Sequence, residues 1–129
     1  MTEIRSELPN SIIAPSLARD VLDGWLTDIE GEQNAEDIRA AASEIVGNAV
    51  VHGNLGEGDV IVLRASVDDT IRIEVQQPSA VEADVLSGGD PSEAGFGFRI
   101  VDMVAKRWGI QEGPPGMVWF EVDYRPGRG

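Results

Sequence analysis

Cysteine is absent from the 129-residue chain, which excludes a disulfide framework and any thiolate metal site. A single histidine, His52, excludes a multi-histidine metal centre. Basic residues are scarce: 10 lysines and arginines stand against 23 aspartates and glutamates, a formal net charge of -13. A polyanion would be repelled by such a surface, so direct nucleic-acid binding is not expected, whereas a basic protein partner is compatible with it. No apolar run approaches membrane length, so no membrane segment is expected. Met1 to Pro9 is too polar for a secretion signal, and the expected location is the cytoplasm. The remaining composition, 42% apolar and 26% charged, is that of one globular domain over 1–129, without internal repeats.

The chain is organised around Ala40 to Asn54. Ile38, Ala41, Ala42, Ile45 and Ala49 recur at helical spacing and provide a face to lay on a sheet. Glu44, Asn48 and His52 run along one edge of that face, each four residues from the next. Four residues advance a helical side chain by roughly 40°, so the three stack into one polar column. Such a column is either the wet flank of an amphipathic helix or one wall of a polar site.

Around this helix the periodicity predicts a short strand at Glu3–Leu8 and a helix from Pro15 to Ile29, broken at Gly31–Gln33. Asn34 is placed to cap the central helix and Gly53 to end it. From Asp59 the period becomes two. Val60–Val67 and Thr70–Gln76 read as a hairpin turning at Asp68–Asp69, with Ile71, Ile73 and Val75 on its buried face. Ser79 to Ala94, rich in serine, glycine and acidic residues, has little apolar pattern and reads as a functional loop. It opens onto Gly95-Phe96-Gly97, a pair of glycines leading into a helix, where backbone N–H groups can approach an anion. Two last strands, Arg107–Ile110 and Met117–Tyr124, flank a Gly113-Pro114-Pro115-Gly116 turn, and 125–129 is a tail. Trp25, Trp108 and Trp119 are expected in the core.

Three of these segments, in this order, resemble one family. The Glu44…Asn48…His52-Gly53 column is similar to the N-box of the GHKL ATPases, and Gly95-x-Gly97-x-x-Ile100-Val101 to their second glycine box. The ending, Ile100-Val101-Asp102, Arg107-Trp108-Gly109 and Val118-Trp119-Phe120-Glu121, resembles the small bacterial anti-sigma-factor serine/threonine kinases in particular. The resemblance implies an α/β (α+β) two-layer sandwich, a mixed but mostly antiparallel sheet with helices on one face. It implies ATP and Mg²⁺ as cofactors, Glu44 as catalytic base, and Asn48 as the Mg²⁺ ligand. His52, Gln77, Ser79, Gly95, Phe96, Gly97 and Met117 take positions that contact ATP, and 79–94 that of an ATP lid. The implied partners are a sigma factor and an anti-sigma-factor antagonist whose serine is phosphorylated, and homodimers occur in the family. Neither Glu44 nor Asn48 is needed for a core, while phosphoryl transfer needs a metal, a base and positioning.

The chain departs from the family where the base binds. Gln77 stands in place of an aspartate after the strand, Ser79 in place of a glycine, and Met117 where a threonine is frequent. A hydrogen bond to a charged group contributes about 1.5–3 kcal/mol against roughly 0.5–1.5 for a neutral one. The exchange at Gln77 therefore predicts adenine affinity about tenfold lower. Two readings follow: an ATP-dependent kinase that also sequesters a sigma factor, and a binding module that keeps the fold without using ATP.

Overall fold

The computed structural model describes residues 3–29, 34–81 and 98–124. Strand β1 (Glu3–Pro9) leads to helix α1 (Ala14–Asp28), which packs beside helix α2 (Ala35–His52). The hairpin β2 (Val60–Val67) and β3 (Thr70–Gln77) follows, then helix α3 (Phe98–Val104) and strands β4 (Arg107–Gln111) and β5 (Gly116–Asp123). The sheet order is β1-β2-β3-β5-β4. Every neighbouring pair runs antiparallel, so the mixed pairing expected from the resemblance does not occur among the described strands.

The alternation of the strands decides which side of the sheet is covered. Ile61, Leu63 and Ala65 on β2, Ile71, Ile73 and Val75 on β3, and Val118, Phe120 and Val122 on β5 are buried. They meet Ala18, Leu22, Trp25 and Leu26 of α1 and Ile38, Ala41, Ala42, Ile45, Val46 and Ala49 of α2 in one core. The helices thus lie on one face, because only that face of each strand is apolar. Ion pairs of Arg19 with Glu36 and of Arg39 with Asp23 link α1 to α2 at the surface, and Arg39 also pairs with Glu36 within α2. Such exposed pairs contribute at most about 1 kcal/mol each, so the alanine-rich contact beneath them holds the helix pair.

The opposite face of the sheet is polar and carries Trp119. Its ring lies under the Arg72 guanidinium at 4.4 Å, and Arg72 also pairs with Glu74 and Glu121. Trp119 is therefore not a core residue. It alternates with the buried Val118 and Phe120 and so must point outward. Trp25 is buried as expected, while Trp108 is half-buried with its ring edge-on to Phe98 and its Nε1 donating to Asp102.

Two end signals differ from expectation. Asn34 occupies the N-cap position of α2 without a side-chain capping bond. Gly53 does end α2 and donates to Ala49 O, yet its backbone stays right-handed and Asn54 takes the positive φ of 52°. Glycine is required there for space: a Cβ on Gly53 would run into the Ala49 carbonyl.

Candidate functional site: a cleft between the central helix and the sheet

The last two turns of α2 stand over the ends of β3 and β5 and leave a narrow cleft between helix and sheet. Ile45, Val75, Val81, Phe98 and Val118 form its apolar lining, and Asn48, His52 and Gln77 are the polar side chains on it. An apolar slot with a few convergent polar groups is the usual form of a small-molecule site.

Asn48 is 9% exposed, and its Nδ2 is buried without a hydrogen-bond partner among the described residues. His52 Nε2 is in the same condition one turn further on. A buried polar atom without a partner costs about 1–3 kcal/mol, so these two cleft-lining groups are better satisfied by an oxygen-rich ligand than by the protein. Two members of the sequence column thus line the cleft. Glu44, the third, is half-buried and does not line the cleft; its carboxylate accepts from the Ile100 N–H at the start of α3. Burial raises its carboxyl above the ordinary glutamate value, against the lowering effects of that N–H and of Arg99.

Gln77 is 6% exposed at the end of β3. Its Nε2 donates to Ser79 Oγ at 3.0 Å and to Ala80 O at 2.8 Å, and Ser79 Oγ donates to Gly53 O at the end of α2. Ser79–Val81 forms a strap rather than a free loop. Gly116 N–H donates to Ser79 O, Val81 N–H donates to Glu112 O, and Val81 is buried. Main-chain bonds and an apolar anchor thus hold the first three residues of the segment expected as a lid. The rest of 79–94, with Gly95, Phe96 and Gly97, lies outside the described residues.

Met117 does not reach the cleft. It lies on the outer face in register with Gln76 and Gln111, and Val118 lines the cleft instead. The two-residue period of β5 already carried that signal. The apolar lining residues Phe98 and Val81 were not distinguishable from core residues in the sequence.

A magnesium ion fits this donor set only in company. Mg²⁺ takes oxygen ligands and is commonly held by one or two protein groups plus phosphate oxygens. Asn48 offers a carboxamide oxygen, and among the described residues no three His, Asp or Glu side chains converge to form a protein-only cage. The unpartnered Nδ2 and Nε2 suit the anionic oxygens that would accompany the ion.

No protein-family model matches the sequence, and no curated protein matches it. A solved structure does. The crystal structure of the RsbU and RsbW domains of Rv1364c from Mycobacterium tuberculosis matches 99% of this chain with a TM-score of 0.75 and 25% sequence identity. The fold is RsbW-like. The five-stranded antiparallel sheet backed by helices is consistent with the GHKL-like architecture of such a domain. The present chain spans 34% of that larger chain. Among the described residues no helix is long and apolar enough to cross a membrane.

Proposed function

We propose that the chain is an anti-sigma regulatory domain of the cytoplasm that binds Mg-ATP in the α2 cleft and phosphorylates a serine of an antagonist protein. The observation that carries this reading is the pair of buried, unpartnered polar atoms on the cleft wall, Asn48 Nδ2 and His52 Nε2, in an RsbW-like fold. ATP supplies the phosphoryl group and Mg²⁺ the charge that neutralises its oxygens. Asn48 would hold the ion through its amide oxygen, and His52 would bind a ligand oxygen or ribose hydroxyl. Apolar Ile45, Val75, Phe98 and Val118 would exclude water and sandwich the base. Glu44 would take the proton from the incoming serine hydroxyl, its raised carboxyl pKa bringing it closer to that of an effective base. The partners would be a sigma factor and the antagonist.

A specific observation favours the second reading, a partner-binding module without transfer. Glu44 accepts from the Ile100 N–H and does not line the cleft, so its carboxylate stands apart from the groups that would hold the nucleotide. Phosphate incorporation into an antagonist protein, run beside capture of the sigma factor, separates the two. Capture without incorporation at saturating nucleotide would leave the module; incorporation by the wild type and not by Glu44→Gln supports the kinase.

A further inference from the structure

Trp108 does not line the cleft, yet two of its contacts end on α3. It stands in register with the buried Phe120 on β4, an edge strand, so its ring lies on the helix-covered face with no further strand beside it. The ring is edge-on to Phe98, with centroids 5.2 Å apart and planes at 65°. Its Nε1 donates to Asp102 Oδ1 at 3.1 Å. Phe98 and Asp102 are four residues apart and so share one side of the helix. One indole thus holds a full turn of α3 at both ends, which fixes the rotation of the helix about its axis. A helix of 7 residues has little stability of its own, so outside contacts decide where it sits. Val101 and the Ile100 N–H bind α3 to the core and to Glu44, while the indole reaches the Phe98 ring itself. That ring is 5% exposed and lines the cleft.

We propose that Trp108 is a positioning residue of the cleft: through Asp102 it sets the rotation of α3, and through its ring edge it holds Phe98 in the wall against which a nucleobase packs. The proposal rests on the nucleotide reading above. A ring that is free to turn must be ordered when the ligand arrives, and that ordering is subtracted from the affinity. Here the ring is ordered beforehand by a residue outside the site. Without the indole, the competent orientation becomes one of several, and the observed affinity falls by its fractional population. The effect passes through Phe98, so it vanishes once the aromatic ring at that position is gone.

Calorimetric titration with Mg-ATP tests this as a double-mutant cycle between positions 98 and 108. Trp108→Leu should weaken binding about fivefold, the worth of one edge-on aromatic pair. Phe98→Leu should weaken it as well, and adding Trp108→Leu to that variant should change affinity by less than about twofold. Asp102 is exposed, and its variants carry the same test if Trp108→Leu fails to fold. Asp102→Ala should cost about threefold with Phe98 present and nothing measurable in Phe98→Leu, while Asp102→Asn, which keeps an acceptor oxygen, should bind as the wild type does. Losses that add in full across both backgrounds would make Trp108 a stabiliser of the fold that does not act through Phe98, and would overturn the proposal. Unchanged affinity in Trp108→Leu or Asp102→Ala, or an equal loss in Asp102→Asn and Asp102→Ala, would also overturn it and leave the nucleotide reading intact. Absence of Mg-ATP binding by the wild type would overturn both.

Discussion

Asn48 is placed where a structural residue would be a poor choice. It is buried in an apolar cleft with Nδ2 unpartnered, so truncation removes a desolvation cost of about 1–3 kcal/mol along with some packing. Asn48→Ala is therefore expected to leave the melting temperature unchanged or slightly raised while abolishing Mg-dependent nucleotide binding; a collapse in stability would mark it as structural instead. Glu44 makes a pH-dependent prediction. Its folded carboxyl binds a proton more tightly than its unfolded one, since burial outweighs the Ile100 N–H and Arg99. That preference stabilises the fold on the acid side and is lost as pH rises through the raised value. Glu44→Gln should consequently be at least as stable as wild type at neutral pH, with the advantage disappearing towards acid pH. Phosphoryl transfer in the wild type should fall on acidification with a midpoint above the ordinary glutamate value. Thermal melts across pH, beside the transfer rates, read both; a Glu44→Gln variant less stable at neutral pH than wild type would show that the charged form is held by its contacts.

The element that gives the cleft its shape is the Ser79–Val81 strap, and it depends on Gly116. A Cβ at Gly116 would come within 2.5 Å of Val81 Cγ2, 2.6 Å of Val81 N and 2.8 Å of Ser79 O. Backbone cannot give way cheaply, so Gly116→Ala should destabilise by about 1–3 kcal/mol and push the strap out of register. Nucleotide affinity should fall with it, since Gln77 loses its partners, and denaturant melts with binding titrations would show both losses together. Unchanged affinity would mean that the strap does not shape the site. The strap was illegible in the sequence because its partners, Glu112 and Gly116, come more than thirty residues later and act through main-chain atoms. By contrast α2 and the β2–β3 hairpin were legible, since their apolar periods of 3.6 and two are set by burial on one face. Glu44 parted from Asn48 for a similar non-local reason. Their shared edge of α2 is written in the spacing, but the docking of α3 against Glu44 is not. Trp119 and Met117 could have been placed outward from the alternation of β5 alone, which their size and the family pattern obscured.

At the scale of the molecule, charge is distributed unevenly. The net formal charge is -13, yet the uncovered sheet face is close to charge balance: Arg5 stands opposite Arg64, while Arg72 and Arg107 flank Glu121, and Glu7 and Glu74 pair with Arg5 and Arg72. The acidic excess lies elsewhere, and it should accelerate association with a basic partner. Raising salt from low concentration to physiological strength, where the Debye length is about 8 Å, should slow that association by roughly tenfold with little change in dissociation. Stopped-flow binding at several ionic strengths would check it, and a salt-independent on-rate would point to an apolar contact instead. The central claim, however, concerns the cleft, and one titration tests it most directly: ATP added to the purified chain with Mg²⁺ and again with the metal chelated, for wild type and Asn48→Ala. The account predicts saturable one-to-one binding by wild type that requires Mg²⁺ and is lost in the variant. Absence of binding to the wild type, or equal binding by both proteins, would contradict it.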